Sequence, residues 1–135
     1  MDRFIFCLTA GNESGEMTVI LSKQHAINTG RAASAMNPTF FAALTLMVVP
    51  DTPLDEMVRR GEFELVKDPI DILRELELII LNIDAPGPIA FRTNHASNYL
   101  PLRGNLPEDK GKLLRTIQRA INDPSLLRPE YMRAL

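Results

Sequence analysis

A single cysteine, Cys7, is the whole thiol complement of this 135-residue chain. No disulfide can close within it, and no cysteine cluster can gather a metal. Cys7 lies inside the apolar run RFIFCL, so a buried, inert thiol is expected. Histidine occurs only twice, as His25 and His95. With no second histidine or cysteine beside His95, a His/Cys metal site is not expected. Long apolar runs are missing as well, and none reaches the roughly 20 residues a membrane-crossing helix needs. The amino-terminal MDRFIFCLTAGNESGE offers no useful basic n-region, and its apolar run is too short for a signal peptide. A cytoplasmic location is the expectation, without membrane association. Charge of one sign is lacking too: the net charge is −2, and no basic stripe is interleaved with aromatics. Nucleic acid is therefore not an expected partner.

What remains is an ordinary globular composition, 45% hydrophobic and 24% charged, at a length suited to one domain spanning 1–135. Arg3–Leu8 reads as a buried strand and ends in the turn-rich Ala10–Gly15. Thr18–Leu21 is ambiguous between a strand and the approach to a helix. Ser22 is a plausible N-cap for a helix running to about Met36, with Ala26, Ile27, Gly30 and Ala33 forming a small-residue face able to lie close to a sheet. Asn37-Pro38 stops it. Phe40–Val49 is apolar without alternation, the signature of a strand covered on both faces.

Proline then punctuates the chain. Thr52-Pro53 and Asp68-Pro69 each place a capping side chain before a proline at the first helical position. The first of these helices reaches Arg60 and ends at Gly61. The second carries an apolar stripe, Ile72, Leu73, Leu76, Ile79, Ile80 and Ile83. Pro86-Gly87-Pro88 breaks it, and Ile89–Arg92 is a short strand. From Pro107 another amphipathic helix runs to Asp123-Pro124, with Leu113, Leu114, Ile117, Ala120 and Ile121 inward. Residues 128–133 suit a final helical turn.

Strand, helix, strand, helix, helix, strand, helix is an α/β order with parallel strands. Three to four mainly parallel strands with flanking helices are expected, either as an open sheet or as a partial (β/α) barrel fragment. A closed eight-stranded barrel needs about 200 residues or more.

In such architectures the loops after the strands' carboxyl ends share one face, where ligands bind. Three polar loops qualify: Ala10–Gly15, Pro50–Pro53 and Thr93–Gly104. Each also has a plain structural reading. AGNESG lacks the G-x-G-x-x-G spacing and suits a surface turn. PDTPL suits a helix start, and His25 a surface or capping histidine. Asn94, His95, Asn98 and Tyr99 are able to satisfy one another and the loop backbone. An imidazole in general titrates near neutrality, which is why His95 also suits an acid, a base or a ligand. Glu56, Glu62, Glu64, Glu75 and Glu77 read as solvated faces, and no nucleophile or carboxylate is placed beside His95.

The segments ALTLMVVPDTPL (43–54), RGEFEL (60–65), NHASNYLPLRGNLPEDKGKLL (94–114) and LRPEYMR (127–133) resemble the C-terminal part of a group of radical S-adenosylmethionine (radical SAM) proteins. The likeness runs from about His25 to the end of the chain, and the 94–114 block is its most specific part. It implies a full or partial (β/α) barrel. It also implies a [4Fe–4S] cluster, held by a CxxxCxxC motif, that cleaves S-adenosylmethionine to a radical able to abstract hydrogen from substrate. Thr52, Asn94, His95, Asn98, Tyr99 and Arg103 would line the space where cofactor and substrate meet. The chain departs from the family in lacking CxxxCxxC, in having a less glycine-rich turn at LTAGNESGE, and in carrying Asp51 where the family often has glycine.

The expectation is therefore a substrate-side segment that begins midway through a barrel: a truncated reading frame, a cropped domain, or one subunit of a split barrel. It would bind neither cluster nor S-adenosylmethionine alone. Its partner would be an N-terminal half-barrel or a second copy. The alternative is a standalone, non-catalytic α/β binding or assembly module. A small hydrolase or transferase using His95 is a third possibility.

Overall fold

The computed structural model of the protein describes residues 3–8 and 16–135; residues 3–8 and 16–19 are described by their backbone alone. Four strands, β1 (Arg3–Leu8), β2 (Phe40–Thr45), β3 (Ile89–Arg92) and β4 (Arg103–Leu106), form one sheet in the order β1-β2-β3-β4. The first three run parallel and β4 is antiparallel to β3, with Arg92 opposite Arg103 and Phe91 opposite Gly104. The four helices are α1 (Glu16–Met36), α2 (Pro53–Arg59), α3 (Pro69–Leu81) and α4 (Lys110–Asn122). Short 3-10 turns follow at Pro124–Leu126 and Glu130–Met132.

The proline-led helices form for the reasons their sequences give. The Thr52 hydroxyl accepts from the Asp55 amide, the Asp68 carboxylate accepts from the Ile70 amide, and a proline follows each cap. Gly61 ends the first at φ +72°, where a side chain is strained. Asp51 sits at φ +61°, in the left-handed region that glycine prefers and aspartate tolerates.

Four expectations change. Thr18–Leu21 is helical, so α1 starts well before Ser22, which is an interior residue and not a cap. The small face of α1 packs on α3 and not on the sheet: a Cβ on Gly30 would lie 2.6 Å from the Ile79 carbonyl oxygen and 2.7 Å from Asn82 Cβ. β2 stops at Thr45 instead of reaching Val49. Arg103–Leu106, read above as the end of a loop and its sequel, is a strand.

The core lies on one side of the sheet. Phe41 and Ala43 of β2, Ile89 and Phe91 of β3 and Leu106 of β4 join the stripe Ile72, Leu73, Leu76, Ile79 and Ile80 of α3 in one buried cluster with residues of α1 and α4. The Phe41 and Phe91 rings stack with centroids 5.6 Å apart. Burying a side chain of this size contributes about 2–3 kcal/mol. The opposite face carries Phe40, Ala42, Leu44 and Ala90, half-buried and outside that cluster. Strand order explains this one-sidedness. Each parallel crossover steps one strand onward in the same direction, and right-handed crossovers in one direction put their helices on one face. A sheet covered on both faces reverses direction part-way.

Candidate functional site

Because β1, β2 and β3 are parallel, the segments after Thr45 and after Arg92 leave from the same edge of the sheet. The Ala10–Gly15 loop lies outside the described residues. The 93–102 loop does not hang free. The β3 ladder on β2 ends at Ala42, and the Asn98 side chain then takes over the pairing that a longer β3 would supply. Its Nδ2 donates to the carbonyls of Ala43 (2.8 Å) and Thr93 (3.0 Å), and its Oδ1 accepts from the Thr45 amide (2.8 Å) and hydroxyl (3.0 Å). Thr93 closes the loop's mouth. Its hydroxyl donates to the Leu100 carbonyl and accepts from the Leu102 amide, both at 2.7 Å.

The C-terminal segment fastens the loop's outer side. Arg128 Nη1 donates to the carbonyls of His95, Ala96 and Asn98, and Arg133 Nε donates to the Ser97 carbonyl at 2.7 Å. LRPEYMR and the Asn94–Leu100 loop are therefore one structural unit.

The six sequence-predicted residues separate. Asn98 is 2% exposed with its amide fully used, so it faces no open space. Thr52 is the α2 cap and also donates to the Val49 carbonyl at 2.7 Å. Asn94 is exposed. The exposed His95 ring keeps Nδ1 within 3.2 Å of the Ser97 amide and 3.0 Å of its hydroxyl. The amide makes Nδ1 an acceptor and leaves the ring proton on Nε2. Arg103 is exposed at the start of β4, on the face of the sheet opposite the core, beside Arg92. Arg92 Nη1 is tied to the Phe91 and Gly104 carbonyls at 2.7 and 3.0 Å.

Tyr99 turns to the helix side and joins residues that the reading above left without a role. A recess of about 270 Å³ opens beside the carboxyl end of β2, with Tyr99, Lys67, Glu130 and Arg133 among its lining residues. The Tyr99 hydroxyl donates to Glu130 Oε2 at 2.5 Å, and Arg133 Nη1 lies 2.6 Å from that hydroxyl and 2.6 and 2.8 Å from the two Glu130 oxygens. The Arg133 guanidinium also stacks 4.0 Å from the Tyr99 ring centre. Burial, and then the hydrogen bond to Glu130, push the phenol up to about 12. Tyr99 is thus a neutral donor across the physiological range. The hydrogen bonds from Tyr99 and Arg133 hold Glu130 below the usual carboxylate range. The signal for this cluster was the spacing in PEYMR, which puts Glu130 and Arg133 three residues apart.

Glu75 is a second departure, because it is not a solvated face. It is 2% exposed, between α3 and α1. Its Oε2 accepts from the Ser22 hydroxyl at 2.6 Å, and its Oε1 has no hydrogen-bond partner among the described residues. His25, which is mid-helix and not in a first turn, brings Nε2 to 3.6 Å from that oxygen. Burial raises the Glu75 carboxyl to about 7 against the opposing Ser22 hydrogen bond.

Among the described residues no group of three or more His, Cys, Asp or Glu side chains is arranged to hold a metal. An iron–sulfur cluster takes three or four thiolates. Cys7 is the chain's only cysteine, so the residues present do not fit such a group and no step through it belongs to this chain. No described helix is long and apolar enough to cross a membrane. No family model matches the chain, and no curated protein or solved structure matches it.

Proposed function

We propose that the chain is the substrate-side segment of a radical S-adenosylmethionine type barrel, completed by a separate cluster-bearing half and not catalytic alone. The observation that carries this reading is the one-directional order β1-β2-β3, with the described core residues of β2, β3 and β4 on the helix side and an apolar face of β2 and β3 opposite. A (β/α) barrel wall winds in one direction in this way, with the face away from its helices turned to the interior.

The two edges of the sheet differ in the same sense. β4 is four residues long, lies between Pro101 and Pro107, and exposes Arg103 and Asn105. These are marks of an edge protected against further pairing. β1 has no described partner on its outer side. Growth of the sheet therefore belongs at β1, where an N-terminal half-barrel or a second copy would add its strands. Arg92 and Arg103 give the carboxyl end of the bare face a positive charge, suited to an anionic part of a substrate. Asn94 and His95 follow β3 at the same edge, and Thr52 lies on the segment that follows β2. S-adenosylmethionine and the [4Fe–4S] cluster belong to the partner half in this reading, and a cytoplasmic setting goes with it.

Light scattering of the chain alone and co-expressed with a CxxxCxxC-bearing half-barrel tests the proposal. Self-association alone, replaced by a defined complex with the half-barrel, supports it. A clean monomer that ignores the half-barrel overturns it in favour of a standalone binding module. A stable [4Fe–4S] absorption spectrum from this chain alone after anaerobic reconstitution also overturns it.

A further inference from the structure

The recess beside Tyr99 lies on the helix side of the sheet, across from the bare face, so what it binds is independent of the barrel reading. Its walls are apolar where Leu46, Leu65, Val66 and Ile72 line it. The polar side chains lining it are two cations, a neutral phenol, one carboxylate and the Thr45 hydroxyl, which is tied to Asn98. The Asp68 carboxylate lies near enough to act on the phenol. Lys67 has no ion-pair or hydrogen-bond partner among the described residues. Arg133 is committed to Glu130, and its side chain is only 6% exposed, whereas that of Glu130 is 68% exposed.

This asymmetry is informative. Arg133 and Tyr99 are fixed from beneath, by the Ser97 carbonyl and by burial, and they present two donors at distances suited to a carboxylate. The carboxylate they hold comes from a short, exposed 3-10 turn and has most of its surface in solvent. We propose that the recess is a binding site for a small carboxylate carried on an apolar body, and that Glu130 is an internal competitor for the same donors. The incoming carboxylate takes the place of Glu130 on Arg133 and Tyr99. Lys67 supplies a second positive charge, and the apolar part lies against Leu46, Leu65 and Ile72. Exchange of one carboxylate for another keeps the local charge balance, and Glu130 moves into water at little cost.

Size and charge define the ligand class. A volume of about 270 Å³ equals about nine waters of liquid at about 30 Å³ each, enough for a six-carbon acid. A phosphate monoester brings up to two charges in exchange for the single charge of Glu130, so it upsets the local balance that a carboxylate keeps and is disfavoured.

The test is a two-dimensional NMR titration of the full chain with hexanoate, and with hexanamide and hexyl phosphate as comparison arms. Saturable shifts at Leu65–Lys67, Ile72 and Tyr99 with hexanoate, at a Kd on the order of 1 mM, are expected, with little response to hexanamide. Glu130→Gln should tighten hexanoate roughly tenfold by removing the competitor. Lys67→Met should weaken it severalfold without unfolding the protein, since Lys67 is exposed and unpaired. Equal binding of hexanamide and hexanoate, or tighter binding of hexyl phosphate, would overturn the proposal. So would unchanged spectra for both the native chain and Glu130→Gln at 10-fold that concentration.

Discussion

Glu75→Gln isolates the cost of one buried carboxylate. Glu75 sits on the inner face of α3, 2% exposed, with Oε2 bonded to Ser22 and Oε1 bare of hydrogen bonds among the described residues. Its carboxyl titrates near 4.5 when free and at about 7 in the fold, because burial penalises the charged form more than the Ser22 hydroxyl stabilises it. Between those pH values the folded chain holds a proton that the unfolded chain has released. Stability must then fall as pH rises through the window. The contribution is fully present below about pH 4.5 and is lost once pH passes about 7. At about 1.4 kcal/mol per pH unit the loss comes to roughly 3 kcal/mol, a large share of the 5–15 kcal/mol that holds a typical domain folded.

Urea unfolding followed by circular dichroism, at half-unit steps from pH 5 to 8, measures this directly. Glutamine keeps the shape and can accept the Ser22 hydrogen bond, yet carries no charge. Every other titrating group is common to both proteins. The native chain should therefore match Glu75→Gln near pH 5 and fall below it by pH 8. The gap in midpoint should be on the order of 1–2 M urea for a slope of about 2 kcal/mol per molar. A difference between the two proteins that stays constant across this range would refute the reasoning.

Asn98→Ala removes four hydrogen bonds and leaves the Thr45 amide and the Ala43 carbonyl buried without their partner. A loss of about 3 kcal/mol or more in urea unfolding is expected, at about 1–3 kcal/mol per stranded group. Gly30→Ala, placing a Cβ 2.6 Å from the Ile79 carbonyl oxygen, should cost about 1–3 kcal/mol by thermal unfolding. Gly61→Ala, strained only by its φ of +72° and with nothing within 4 Å, should cost about 1 kcal/mol. Asp51→Val forces a β-branched residue to φ +61° and should lose about 1–2 kcal/mol by the same measurement, while Asp51→Gly stays within about 0.5 kcal/mol of the native chain.

The elements legible in the sequence were those whose causes are local. Thr52 and Asp68 announce their helices because a cap and a following proline act within one turn. The stripe from Ile72 to Ile83 announces its burial because 3.6-residue periodicity needs no knowledge of the partner. Glu75 lies in phase with Ile72 and Ile79, yet carboxylates are rarely buried, so its residue type and its position point to opposite environments. β4 was missed for a different reason. Arg-Gly-Asn-Leu has little intrinsic strand preference, and its extended form comes from pairing with β3 some ten residues back. Its only local trace is the alternation of buried Leu102, Gly104 and Leu106 with exposed Arg103 and Asn105. The contact that continues the β2 ladder was equally invisible, since it comes from a side chain 53 residues away that takes the amide of Thr45.

The concentration of polar side chains after β3 resolves into two sets that point in different directions. Thr93, Ser97, Asn98 and Tyr99 are buried. Between them they close the loop, extend the β2 ladder and anchor the C-terminal segment. The side chains of Asn94, His95 and Arg103 are exposed and make none of those internal contacts, apart from the His95 ring nitrogen that Ser97 fixes. The His95 backbone carbonyl belongs to the inner set, accepting from Arg128. Had the loop been a simple connection, a few glycines and one turn would join β3 to β4. Instead Asn98, Thr93, Arg128 and Arg133 fasten its backbone from four sides. Fastening a loop this firmly removes conformational entropy in advance, so groups held on its outer surface lose less when they meet a ligand or partner. The rigid inner set is therefore a reason to look for function in the outer one: the Nε2 of His95, the amide of Asn94 and the guanidinium of Arg103, held at the carboxyl edge of the sheet.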